Sequence, residues 1–555
     1  MKLIKKYKIL PILMVTILGS CSDDFLDRVP QDQISSETFW KSESDVELAL
    51  NGCYQYVEAS VYEAYVDGYT DNSYCQYPWE SNATIISAGT INADMNDGYS
   101  YSGIRRFNYF LDNVDKAPVT ETIKTQYKSE VRVLRAWAYY NLAKKFGAVP
   151  LIKNFSLEGE EVAIAPTSEV EVMEFAKSEL NDAIANLPVE NVYKSRVSKG
   201  AALALKARIH LFNKEWSEAA SSAHEIMGLG YQLFELASIT EEDMIDDYSF
   251  LVDFASDQEK EKFYKGLRSY EQLFWEQNES NSEVIMEVEY IPESAYEYSS
   301  GINTLYLADN AGGGWSSITP TQSMVNAYWT QQGNEFTAPS PGERAARYNA
   351  GAYDEAYLDE FRNRDTRLYA SILFPGAPWN SLAPELIFSW NKGGSNISKT
   401  GYNYRKMTDP SESAQSGQWK GPQNFPVIRY AEILLTYAEA KNEASGPDAT
   451  IYDAIDLIRK RAGMPVIDRN VVNSKPALRA LIRNERRIEL AGEGFRWDDI
   501  RRWGISSEVM NSIYSIDNSL AQERRWEPRF IRFPYPQTAI DRNPNLKEAQ
   551  ETKGY

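Results

Sequence analysis

Two histidines, His210 and His224, and three cysteines, Cys21, Cys53 and Cys75, are the scarce reactive side chains of this 555-residue sequence. Both histidines sit in alanine-rich stretches with helical spacing, so a histidine-based metal site or a Ser-His-Asp triad has almost no raw material. Cys53 and Cys75 are too few for a disulfide framework or a zinc site; they either pair with each other or stay as buried thiols. The 79 acidic residues could supply the two carboxylates of a glycosidase, but in so acidic a chain some pair always looks suitable. No catalytic residue, metal or cofactor is expected. The 36 tyrosines and 13 tryptophans are the more informative residues, since they build large cores and also surfaces that hold flat apolar ligands. A net charge of −21 makes nucleic acid an improbable partner, because phosphate binding needs clustered Lys and Arg. Neutral ligands suit this balance best.

The elements that must carry those side chains read mostly as helices. From Glu121 to Phe146, the residues Val131, Leu134, Ala138 and Leu142 recur at three- to four-residue spacing. The stretch ends in Lys144-Lys145-Phe146-Gly147, a cationic last turn and a glycine stop. Ser168-Glu169-Val170-Glu171 opens the next helix as a capping box, running to about Leu187. Ser198 to Phe212 and Trp216 to Met227 form a short-turn pair with the alanine packing of a tetratricopeptide unit. A second pair spans residues 429–463, broken at Gly446-Pro447. Between the pairs, residues 266–425 are rich in glycine and tryptophan and weakly periodic, which predicts long loops with short strands. Loops on a rigid scaffold are a common place for binding sites.

The N-terminus is read separately. A basic segment from Met1 to Lys8 precedes an apolar run from Ile9 to Gly19, too short to span a bilayer. Leu18-Gly19-Ser20-Cys21 resembles the lipobox of bacterial lipoproteins, in which the cysteine is acylated and becomes the first mature residue. Residues 1–20 are then a signal peptide, and their loss, with four lysines, makes the body more acidic still. Ser22-Asp23-Asp24 resembles the acidic signal that sends some lipoproteins to the outer cell surface.

The C-terminal third carries a family likeness. Phe425-Pro426-Val427-Ile428-Arg429-Tyr430-Ala431-Glu432, the Glu485-Arg486-Arg487-Ile488-Glu489-Leu490 run and Glu493-Gly494-Phe495-Arg496-Trp497-Asp498-Asp499 resemble the SusD/RagB family of nutrient-binding outer-membrane lipoproteins. Thr38-Phe39-Trp40, Arg135-Ala136 and Phe146-Gly147 agree in the N-terminal half, so the likeness covers essentially the whole chain. It implies a mostly α fold: about four tetratricopeptide-like helix pairs, over residues 36–228 and 426–510, within a single 21–555 body. It also implies a ligand site in the loop-rich insertion, no catalytic activity, and a place on the outer membrane, lipid-anchored and facing the exterior. There such proteins capture oligosaccharides for a SusC-like TonB-dependent transporter. A lid for peptide or another non-sugar nutrient is the alternative. The charged motif residues Arg135, Arg429, Glu432, Glu485, Arg486, Glu493, Arg496 and Asp498 are read as scaffold ion pairs, because ions near a core need partners.

A sugar ring offers apolar C–H faces and polar edges, so its site wants an exposed aromatic plane beside carboxylate, amide or guanidinium groups. Asp71-Asn72-Ser73-Tyr74-Cys75-Gln76-Tyr77-Pro78-Trp79 and Ala311-Gly312-Gly313-Gly314-Trp315-Ser316-Ser317 offer both. Family members commonly place a stacking aromatic in each region, which makes Trp315 and Trp79 the leading residues. Tyr77 or Tyr99 could replace Trp79, and Trp315 could instead plug a hydrophobic pocket. Asp71 is a hydroxyl acceptor or a turn aspartate. Arg367, in Arg364-Asp365-Thr366-Arg367, is a ligand contact or a structural pair. Trp275, Trp379, Trp390 and Trp419 cannot be ranked from sequence.

Overall fold

The computed structural model describes residues 39–57, 59–155, 163–292, 298–413 and 421–555. Cys21 and the signal stretch, like Trp419, lie outside them. The helical scaffold begins with α1 (Glu43–Tyr54), α2 (Ser102–Asn113) and α3 (Glu121–Phe146). It continues through α4 (Glu169–Ile184), α5 (Lys199–Phe212) and α6 (Trp216–Met227). After α7 (Asp257–Gln272) and the insertion come α8 (Tyr430–Ser445), α9 (Ala449–Arg461), α10 (Lys475–Glu489) and α11 (Arg496–Trp503).

Local chemistry sets these ends. The Ser198 side chain accepts a hydrogen bond from the Ala201 amide at the start of α5, satisfying one of the orphan donors of the first turn. At α4 the Ser168 hydroxyl accepts from the Glu171 amide and donates to the Glu171 carboxylate at 2.6 Å. The capping-box return thus reaches the hydroxyl. Gly147 ends α3 at φ 76°, a conformation that L side chains avoid.

Helices pair along the chain, α3 with α4, α5 with α6 and α8 with α9, in a tetratricopeptide-like arrangement. The stack also continues across the insertion: α6 packs against α8, although about 200 residues of chain separate them. On these helices the small side chains Ala219, Ala220, Ala223 and Ala431 are buried in one core cluster, which lets the backbones approach closely.

Among the described residues the strands form four two-stranded antiparallel sheets. They are β1 (Ser73–Cys75) with β3 (Ile318–Pro320), and β2 (Val284–Val288) with β6 (Phe425–Arg429). The others are β4 (Ile372–Leu373) with β5 (Asn403–Tyr404), and β7 (Ile513–Tyr514) with β8 (Leu520–Gln522). The insertion holds short helices besides the expected strands, among them Gln322–Ala327, Pro341–Ala350 and Thr366–Ser371. Each has an N-cap, such as the Ser340–Glu343 capping box, a local signal that overrides weak periodicity.

Buried charge fastens the insertion to the scaffold. Arg367 pairs with Asp365, Glu485 and Glu489 at 2.9, 2.8 and 3.2 Å. Arg429, ending β6, pairs with Glu283, Glu489 and Glu493 at 2.8, 2.8 and 2.7 Å. Arg461 joins Glu283 and Glu489, Arg459 joins Glu485, and Lys406 joins Glu493. Five cations thus face five carboxylates, all at least nine-tenths buried, so no net charge is left in a low-dielectric region. Burial pushes Lys406 down to about 8 against the pull of Glu493. The remaining motif residues are paired as the sequence leads one to expect: Arg135 with Glu179, Arg208 with Glu432, Arg486 with Asp499, and Lys144 with Asp498.

Candidate ligand-binding site

The segments 71–79 and 311–317, some 240 positions apart, meet in space. The β1–β3 ladder aligns Tyr74 with Thr319 and Cys75 with Ile318. Beyond it the Gln76 amide donates to the Ser317 carbonyl at 3.1 Å. The Gln76 side chain then donates to the carbonyls of Trp315 and Ser316 at 2.8 and 2.9 Å. Gly314 allows this fold-back, since a Cβ there would stand 2.2 Å from the Leu307 carbonyl oxygen.

At this junction Trp79 is 74% exposed. Its ring lies 4.9 Å from that of Tyr77, tilted by 31°. The Tyr77 hydroxyl donates to Asn396 Oδ1 at 2.9 Å, and the Ser316 hydroxyl donates to the Asn396 carbonyl at 2.8 Å. A third loop, Asn391 to Asn396, therefore borders the aromatic pair. Glu80 accepts from the Tyr65 hydroxyl at 2.8 Å and from the Ser317 hydroxyl at 3.1 Å, tying the two segments together. Burial raises its carboxyl, and those two hydroxyls oppose the rise. Trp315 is half-buried, its amide held by the Thr304 carbonyl at 2.7 Å. The junction can stack on an apolar ring face and offer amide and carboxylate groups at the edges.

The other residues singled out in the sequence lie elsewhere. Asp71 is 3% exposed, and its two oxygens each take a bond of 2.9 Å from Arg496. Arg487 adds a contact of 2.8 Å. Burial alone would push this carboxyl up; the two guanidiniums outweigh it and hold it at about 2. Arg367 is wholly buried inside the charge network. Neither is open to a ligand, because each is already fully partnered beneath the surface. Tyr99 sits edge-on to Phe146, Tyr101 and Tyr535 in a separate aromatic cluster, where burial raises its hydroxyl to about 12. Trp379 is fully buried, Trp390 donates its indole N–H to the Ser398 carbonyl, and Trp275 donates to the Thr408 carbonyl.

Glu80 and Asn396 lie outside the two stretches that the sequence offers. The one available signal was Gly393-Gly394-Ser395-Asn396, a second glycine-rich turn, with Asn396 itself at φ 50°. Cys53 and Cys75 are free, buried thiols, and burial pushes Cys53 up to about 12. His210 stands 2.5 Å from Glu215 within the scaffold. Among the described residues no cluster of three His, Cys, Asp or Glu could hold a metal ion, and no helix is long and apolar enough to cross a membrane.

Comparison with known proteins adds lineage to this geometry. A sequence model of the SusD family matches residues 282–555, and one described as starch-binding, associating with outer membrane, matches residues 24–211. A SusD-like protein, P38, of Formosa agariphila is 26% identical and aligns over 98% of this chain and 99% of its own. The crystal structure of a SusD-like protein of Bacteroides fragilis superposes with a TM-score of 0.76 at 25% identity, covering 93% of this chain and 99% of that one. A second protein of that organism, described as a SusD-like carbohydrate-binding protein, gives 0.74 at 27% identity over 92% and 100%.

Proposed function

The chain belongs to the SusD-like family, and on that premise we propose that it binds neutral glycans at the outer membrane through the Tyr77–Trp79 junction. It captures oligosaccharides and passes them to a SusC-like TonB-dependent transporter, and its role is binding without catalysis. A lipid on Cys21 holds it to the membrane with the junction facing outward. The observation that carries the reading is the exposed indole of Trp79, paired with Tyr77 and backed by the Trp315 loop. An apolar ring left in water at a polar-edged junction is the chemistry that a sugar face requires. The carbohydrate-binding relative at 27% identity and the family's outer-membrane description support it.

Calorimetric titration of the purified protein with soluble starch, laminarin and alginate tests the reading. Binding of a neutral glucan that Trp79→Ala weakens is the expected result. Silence across all three, or binding indifferent to Trp79, would remove its basis. Loss of membrane attachment in Cys21→Ala tests the anchor separately.

A further inference from the structure

The loop that presents Trp79 is held at both feet by a segment from the far end of the chain. Arg524, 8% exposed, enters from just after β8 and bonds its guanidinium to backbone carbonyls of one turn. It donates to the Thr70 carbonyl, to the Ser73 carbonyl at 2.9 Å and to the Gly68 carbonyl at 3.5 Å. That turn leads directly into β1 and the Tyr77–Trp79 pair. Arg524 Nε donates in addition to the Gln522 side-chain oxygen at 2.8 Å. Gln522 Nε2 in turn donates to the Ser87 hydroxyl at 3.0 Å and the Thr84 carbonyl at 3.4 Å. Ser87 and Thr84 belong to the helix Ala83–Ala88, where the chain lands after Trp79. Contact there is close: a Cβ on Gly89 would meet the Arg525 carbonyl oxygen at 2.2 Å.

Between these feet, across residues 71–82, only Pro78 and Trp79 are exposed. A planar guanidinium brings five N–H donors to the carbonyls of one turn, against the two of an amide side chain. An indole on a loop fixed before the ligand arrives loses less freedom on binding.

We propose that Arg524 and Gln522 are positioning residues for the Trp79 ligand platform. They touch no ligand; they fix the direction in which the indole faces. The inference rests on the reading of Trp79 as the stacking residue.

The test uses the protein grown with 5-fluorotryptophan. The Trp79 fluorine line is assigned as the one missing from Trp79→Phe. In the ligand-free protein, Arg524→Ala and, more mildly, Gln522→Ala shift or broaden that line and leave the buried Trp379 line in place. Arg524→Lys, with fewer donors, falls between. Affinity for soluble starch or laminarin, whichever the wild type binds, weakens by about tenfold in Arg524→Ala. Gln522 is half-buried, so its variant carries the test if Arg524→Ala does not fold. A Trp79 line unmoved in the variants overturns the inference, as does a moved line with unchanged affinity. A moved line in a protein whose wild type binds neither glucan upholds the positioning role and instead removes the glycan reading.

Discussion

The charged junction between insertion and scaffold and the aromatic junction around Trp79 both gather side chains rich in chemistry. They differ in solvent. Arg367, Arg429, Arg461, Glu485 and Glu489 are dense in chemistry, yet every one is buried and answered by an opposite charge. Around Trp79 the groups are fewer and mostly neutral, but the largest apolar surface among them faces water. A buried charge stays in place only when partnered, so clustered charge here reports architecture. The exposed indole of Trp79 contributes little to the core, so it is free to serve the stacking role proposed for it.

The contrast can be broken first on the charged side. Glu489→Ala leaves Arg367, Arg429 and Arg461 each short of a partner. The expected loss is about 3–5 kcal/mol in denaturant unfolding. A loss below about 1 kcal/mol would show that the network is not structural.

Acid sharpens the same side. Burial would raise Glu489, but Arg461, Arg429 and Arg367 hold it at about 2, and Asp71 is likewise held at about 2. A carboxyl depressed in the folded state stabilises above its unfolded pKa and loses that stabilisation as pH falls through its folded pKa. Stability is therefore expected to fall from about pH 5 to pH 2, by roughly 3 kcal/mol from Glu489. Thermal unfolding across that range, with Glu489→Gln flattening the slope, checks it.

On the aromatic side, Trp79→Ala is expected to cost about 2 kcal/mol of glycan affinity, roughly 30-fold. The same change should alter folding stability by no more than about 0.5 kcal/mol, since the ring is exposed. A stability loss of the size expected for Glu489→Ala would erase the distinction between the regions.

The smallest effect lies between them. Asp67, fully buried before the Trp79 loop, accepts from the Gly492 amide, and burial raises it to about 6. A raised carboxyl is stabilising when protonated, so its contribution is present below its unfolded pKa of 3.8 and lost as pH rises through about 6. Asp67→Asn, which keeps an acceptor and removes the charge, is expected to gain about 1 kcal/mol at pH 7. At pH 4 it should gain almost nothing. Paired denaturation curves decide.

Local signals carried the helices. Glu121–Phe146 begins and ends where its spacing, cap and glycine stop place it, and Trp216–Met227 where its spacing places it, because each depends on neighbours within a few residues. The pairing of motif charges was legible in kind, since a charge beside apolar helix positions must find a partner. Which partner was not legible: Asp71 meets Arg487 and Arg496 from more than 400 positions away. Its appearance as a loop aspartate beside aromatics therefore misdirects. Arg524 gave no signal at all, because backbone carbonyls 50 positions or 450 positions away look alike in a sequence.

The sequence by itself determined the helical architecture, through short-range periodicity and caps, and the residue types at hand, through composition; the family likeness rests on motifs such as Glu485-Arg486-Arg487-Ile488-Glu489-Leu490. Only the tertiary structure decided which of those residues reach solvent together. Trp79 and Tyr77 stand at the surface beside the Trp315 loop because the β1–β3 ladder joins distant segments. Asp71 and Arg367 disappear inward because opposite charges from other elements close over them. Exposure is a property of everything that packs around a residue, and no stretch of chain encodes it alone.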